Sequence, residues 1–169
     1  GRFEAADLGT DSLSFGTYDF VACMDVLLHL TDDAKFDHAL ATIAKLVAPR
    51  GRLLLKEPIL YREKFERPYD PELSSRARPW RRYKEGLERA GLQVQAIEAA
   101  TAIGNNPIEA RARWSYFLWR AAWVAASAPP KIHPATAPWV GAVLYRLDPA
   151  LMAAGAAPSS KYALFVRPA

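Results

Sequence analysis

The sequence predicts an α/β protein built on a parallel, doubly wound sheet. The first reason is an apolar run, YDFVACMD at 18–25, held between Asp19 and Asp25. Such a run suits a strand covered on both faces. The second is a helical period directly after it. The third is the alternation of strand-like and helix-like segments along the chain, which parallel crossover units produce.

Taken in order, RFEAADL (2–8) reads as a short strand running into Asp7, and TDSLSFGT (10–17) as a polar turn region. After the 18–25 strand, Thr31 or Asp32 caps a helix. Asp32 and Asp33 sit where the positive end of the helix dipole favours acids. Phe36, Leu40, Ile43 and Val47 share one helical face, and Pro49 and Gly51 end the helix. RLLLKEPI (52–59) is a second apolar strand, stopped at Pro58, which has no N–H for a ladder. Residues 60–79 are polar, proline-bearing and irregular. WRRYKEGLERAG (80–91) is a helix with Trp80, Tyr83, Leu87 and Ala90 on one face and Gly91 as its stop. LQVQAIEAA (92–100) alternates apolar and polar residues as a strand does, and GNNP (104–107) is a turn. A long aromatic-rich helix (108–128), a proline-rich loop (128–138), a further helix (139–155) and a last strand, KYALFVRP (161–168), complete the chain. There is no internal repeat.

Composition bounds the possibilities. The 169 residues are one domain's worth, 51% hydrophobic and 24% charged, enough to bury a core. The net charge of +4 is modest. Its densest basic stretch, RARPWRRYK (76–84), reads as solvated surface or a small anion site and not as a nucleic-acid footprint. The single cysteine, Cys23, lies inside an apolar run. It reads as a small core residue of a protein in a reducing, cytoplasmic compartment. The start has no apolar leader region, and no run of about 18 uncharged apolar residues exists, so neither a secretory signal nor a membrane span is expected. No Cys/His spacing suits a metal, and no catalytic triad stands out.

The joint order of motifs resembles the class I S-adenosylmethionine-dependent methyltransferase family, of the type 11/12 kind. The matching residues are Asp7, then Tyr18-Asp19-Phe20-Val21, then Val26-Leu27-Leu28-His29-Leu30, Pro49-Arg50-Gly51, and Leu53 to Pro58. YKEGLERAGLQV (83–94) is similar to the family's approach to its sixth strand, and SSKYALFVRP (159–168) to its seventh. Arg50 departs from the family's usual Pro-Gly-Gly, a minor change in a surface turn. The larger departure is at the front. No G-x-G occurs in the chain, so the glycine-rich cofactor loop and the acidic residue ending strand two are not in it. The resemblance implies a Rossmann-like α/β methyltransferase sheet, strands three to seven of seven, with helices on both faces. Residues 1–169 would be a single, N-terminally incomplete domain, with a helical lid or interface insertion at 104–158 before the last strand.

Ligands of open α/β sheets bind beyond the carboxyl ends of the strands. By the resemblance, Asp7 accepts from the adenine amine of S-adenosylmethionine with the Leu8 backbone beside it; the competing reading is a turn-capping acid. Met24 and Asp25, with Cys23, would line the methionine end through backbone groups. His29 walls the same pocket or acts as general base, since imidazole takes a proton near neutral pH. Glu57 contacts substrate or simply ends its strand. Asn105 contacts substrate or belongs to a turn. Trp114 and the aromatics after it form either a wall for an apolar or aromatic small molecule or packing for a core or homodimer.

The function this implies is methyl transfer from S-adenosylmethionine to an oxygen or nitrogen of a small molecule, by a complete domain of which this chain alone is inactive and binds cofactor weakly. Such transfer needs little from the protein beyond holding donor and acceptor in line. The alternative is a non-catalytic methyltransferase-like scaffold that lacks the cofactor loop. A nucleic-acid methyltransferase is less well supported, because GNNPIEA is not an Asn-Pro-Pro-Tyr-type motif.

Overall fold

The computed structural model describes residues 3–11, 13, 15–60, 75–103, 107, 113–154 and 161–169. The chain divides into two compact units, Gly1–Ile97 with Tyr162–Ala169, and Glu98–Lys161.

In the first unit, β1 (Tyr18–Met24) and β2 (Val47–Glu57) run parallel, with Phe20 opposite Arg52 and Met24 opposite Lys56. Helix α1 (Asp33–Lys45) joins them. A short parallel ladder of β3 (Ile59–Leu60) and β4 (Arg78–Pro79) precedes α2 (Trp80–Arg89), β5 (Gln93–Ala99) and, at the end of the chain, β6 (Lys161–Val166). The main sheet has the order β1-β2-β6-β5, so the last strand inserts between β2 and β5. Arg167 N–H donates to the Gly51 carbonyl at 3.0 Å, and the Arg167 carbonyl accepts from Arg50 N–H at 3.0 Å. A parallel ladder cannot make that exchange, so β6 is antiparallel to β2. The α/β class stands, but the sheet is mixed and not wholly parallel.

Local chemistry explains the elements. Asp32 caps α1 by accepting from Lys35 N–H at 2.9 Å. The apolar stripe of α1 brings Phe36, Leu40 and Ile43 onto Leu53 and Leu55 of β2, Tyr83 and Leu87 of α2, and Phe165 of β6. Each such side chain contributes roughly 1.5–3 kcal/mol on burial. Arg167 ties the C-terminal ends of α1 and α2 together. Its Nη2 donates to the carbonyls of Ala44 at 2.6 Å and Ala90 at 3.3 Å, placing a cation where both helix dipoles are negative. Among the described residues of this unit, the helices pack on one face of the sheet. On the other, Tyr18, Phe20 and Met24 are exposed, Phe20 by 57%.

The expectations for residues 2–8 and for Val47 are corrected as well. Residues 3–7 form no strand. Around Asp7 the backbone groups bond locally instead: Thr10 N–H and Asp11 N–H donate to the Asp7 carbonyl at 3.1 and 2.8 Å, and Asp7 N–H donates to the Asp11 carboxylate at 2.7 Å. Side-chain bonding of this kind competes with ladder formation. Val47, placed on the helix face by its spacing, begins β2 instead and is buried as a strand residue.

In the second unit, α3 (Arg113–Ile132) and α4 (Ala137–Ala153) flank a 3-10 turn, Pro134–Thr136. The loop predicted from Ala128 onward is helix as far as Ile132. The fixed φ of Pro129 and Pro130 is compatible with a helix, and His133 N–H donates to the Pro129 carbonyl at 2.8 Å. Asp148 reaches from α4 to the 101–103 segment, accepting from Ile103 N–H at 2.7 Å, Ala102 N–H at 3.2 Å and the Thr101 hydroxyl. Among the described residues no helix is long and apolar enough to cross a membrane.

Candidate functional site

The carboxyl ends of β1 and β2 lie side by side, and the chemistry of the first unit gathers there. β2 alternates, so Leu53, Leu55 and Glu57 all point to the buried face. Glu57 is wholly buried. Its Oε1 accepts from the amides of Val26 at 3.0 Å and Leu27 at 2.8 Å, and its Oε2 from Leu28 at 3.2 Å. Burial pushes its pKa up to about 7, against the pull of those three amides, and the charge of Asp25 adds to the push. Glu57 therefore holds the turn after β1. The expected substrate contact is not what this geometry offers, because both oxygens face inward to backbone.

Asp25, the first residue past β1, has φ of 53°. Asp enters this left-handed region more readily than most non-glycine residues, and residues held there cluster at functional sites. Its N–H is committed to the Lys56 carbonyl at 2.8 Å, and its carboxylate pairs with the Lys56 ammonium. Cys23 is buried just before it. Burial first, then the charges of Glu57 and Asp25, pushes its thiol up to about 12, so it stays neutral, as a core residue should. Met24 is exposed, and so is His29, the last residue of the 3-10 turn Leu27–His29.

Asp7 occupies a tight turn. Its Oδ1 accepts from Gly9 N–H at 2.8 Å, so the turn-capping reading holds for one oxygen. The residue is exposed, and Oδ2 has no partner among the described residues. Leu8 packs against the core. A Cβ on Gly9 would meet Leu30 and Lys35 at 3.1–3.2 Å, which shows how closely the turn lies against the start of α1. His38 Nε2 lies 3.3 Å from the Asp11 carbonyl and ties the same turn to α1.

Sequence reasoning missed the arginines. Arg76 and Arg78, in the stretch read as solvated surface or a small anion site, instead fasten the start of α1. Arg78 is wholly buried, with its guanidinium 4.1 Å from the centre of the Phe36 ring. Its Nε donates to Asp33 at 3.2 Å, and its Nη2 to the Thr31 carbonyl at 3.2 Å. Arg76 adds Nη1 to the Thr31 carbonyl at 3.2 Å and its own N–H to the Leu28 carbonyl at 2.8 Å. Asp33, which burial would raise, is held below the usual carboxylate range by the Arg78 hydrogen bond and the charges of Arg76, Arg78 and Arg82.

The structure thus brings together Met24, Asp25, Glu57 and the turn that carries His29, and it holds Asp7 and Leu8 against the start of α1. Asn105 lies outside the described residues. Trp114 stands on α3 of the second unit, 70% exposed. A cavity of about 670 Å³ lined by Lys84, Glu88, Leu92, Gln93 and Pro168 shares no residue with this site. Among the described residues no three His, Cys, Asp or Glu side chains are placed to hold a metal. Against S-adenosylmethionine, the open Asp7 oxygen is an acceptor suited to an adenine amine. The amides of residues 26–28 are already taken by Glu57.

No family model and no curated protein matches the chain. Solved structures do. The [4+2]-cyclase SpnF is 18% identical, with a TM-score of 0.52 over 98% of this chain and 55% of its own. A TehB-like SAM-dependent methyltransferase from Corynebacterium glutamicum is 11% identical, with a TM-score of 0.50 over 98% of this chain and 56% of its own. The O-methyltransferase of a trans-AT PKS multienzyme from Brevibacillus brevis, in complex with S-adenosyl-L-homocysteine, is 14% identical, with a TM-score of 0.50 over 97% of this chain and 48% of its own. The chain spans about half the length of these structures. At such identities the likeness concerns architecture, and one of the three is a cyclase. On its sheet order and these likenesses, the chain has the Rossmann-like α/β fold that class I S-adenosylmethionine-dependent methyltransferases share.

Proposed function

We propose that the chain is part of an S-adenosylmethionine-dependent methyltransferase acting on an oxygen or nitrogen of a small molecule. The observation that carries this reading is the left-handed Asp25 at the carboxyl end of β1, next to a turn held by the buried carboxyl group of Glu57. A left-handed residue and a turn fixed by buried hydrogen bonds at the carboxyl end of the sheet support a ligand there. Asp7 would take the adenine amine, and the backbone at Met24 and Asp25 would border the methionine end. The bound sulfonium would supply an activated methyl group. The protein's part is to orient donor and acceptor and exclude water. His29, exposed on the held turn, is the candidate to accept the acceptor's proton.

The test is incubation of the complete protein with methyl-labelled S-adenosylmethionine and a panel of hydroxyl- and amine-bearing small molecules. Label in an acceptor is the expected result. Cofactor binding without transfer to any acceptor would favour a non-methylating relative, as the cyclase likeness allows. No cofactor binding would favour the scaffold reading.

A further inference from the structure

We propose that Glu57 and Arg78 are positioning residues that jointly set the turn at residues 26–31, and through it His29, for the reaction proposed above; the inference rests on that reading. The turn is gripped from both chemical sides. Its donors, the amides of Val26, Leu27 and Leu28, all go to the Glu57 carboxylate at 2.8–3.2 Å. Two of its carbonyls go to the arginine segment, while those of Val26 and Leu27 accept within the turn from His29 and Leu30 N–H, each at 3.1 Å. The Leu28 carbonyl takes Arg76 N–H at 2.8 Å, and the Thr31 carbonyl takes Arg76 Nη1 and Arg78 Nη2, each at 3.2 Å. His29 lies between the two grips, exposed, with its N–H bonded to the Val26 carbonyl at 3.1 Å.

Glu57 and Arg78 are both fully buried. Burying an ionisable group is costly, and apolar residues of similar volume often serve stability as well or better. Here the partners that compensate are mostly backbone groups of one turn and the acid next to it, Asp33. What the two side chains secure is the shape of that turn. A misplacement of about 1 Å at a reacting group can cost about a hundredfold in rate. Two residues that fix the same segment should also couple energetically.

The test uses Glu57→Gln, Arg78→Met and the double variant in the complete protein, with Glu57→Asp as a milder change should Glu57→Gln not fold. Amide hydrogen exchange at Leu27 and Leu28 reads the turn itself. Each single variant is expected to speed that exchange at least about tenfold and to lower kcat about tenfold or more with acceptor KM within about twofold. The double variant should lose little more than the worse single one. Unchanged exchange overturns the proposal, as does a loss in melting temperature with kcat intact, or strictly additive losses. If the wild type neither binds cofactor nor transfers methyl, the functional reading fails, while the exchange measurements still decide whether the grip exists.

Discussion

Glu57 accepts a hydrogen bond of 2.8 Å from the amide of Leu27, thirty positions earlier in the chain. That contact joins the carboxyl ends of two neighbouring strands and favours the charged carboxylate, but burial outweighs it. Burial lifts its pKa from 4.5 to about 7. Between those values the folded protein holds a proton that the unfolded chain has lost, so the stability from this group is fully present below pH 4.5 and is lost as pH rises through about 7. At about 1.4 kcal/mol per unit, the loss is about 3 kcal/mol. Glu57→Gln removes the titration. Urea unfolding of both proteins from pH 4.5 to 8 should give curves whose separation changes by that amount, with the wild type declining relative to the variant as pH rises. Parallel curves would show that Glu57 does not titrate in this window.

Asp7 has two oxygens with different work, and one substitution separates them. Asp7→Asn keeps a carbonyl oxygen to accept from Gly9 N–H, the 2.8 Å bond that shapes the turn. It can place an NH₂ donor where the open Oδ2 stood. If that oxygen accepts from adenine, donor would face donor. Affinity for S-adenosylhomocysteine by calorimetry on the complete protein should fall about tenfold or more, with the melting temperature within about 2 °C. Unchanged affinity would reduce Asp7 to its turn-capping role.

Much of this was legible in the sequence because hydrophobic period and cap chemistry are local. The apolar run at 18–25 became β1, and the face of Phe36, Leu40 and Ile43 became the buried side of α1. The signal for Glu57 was present as well. It follows Leu53 and Leu55 at strand period two, which places it inward, whereas its position at a strand end suggested an outward contact. What period cannot reveal is pairing between distant segments. Nothing local in RARPWRRYK shows that Arg78 meets Thr31 and Asp33 some 45 residues earlier. Likewise, the antiparallel insertion of β6 between β2 and β5 depends on a contact between Arg167 and Gly51 that no local pattern encodes. The strand expected at 2–8 failed for the opposite reason, since local bonding around Asp7 outcompeted a ladder.

Arg50 gives the last prediction. It has φ of 64°, and Pro49 precedes it where a tight turn favours proline. A side chain in this left-handed region costs roughly 1–2 kcal/mol, partly offset because glycine frees the unfolded chain by about 0.4–1 kcal/mol. Arg50→Gly should therefore raise stability by about 1 kcal/mol, or about 2–4 °C in melting temperature for a chain of this size. The next position behaves oppositely. A Cβ on Gly51 would sit 2.8 Å from the Ala48 carbonyl oxygen and 2.9 Å from that of Tyr18, both backbone atoms that hold the start of the sheet. Gly51→Ala should cost about 1–3 kcal/mol by overpacking. Thermal unfolding of the two variants should move in opposite directions. A loss of stability in Arg50→Gly would mean that the arginine side chain makes contacts worth more than its backbone strain.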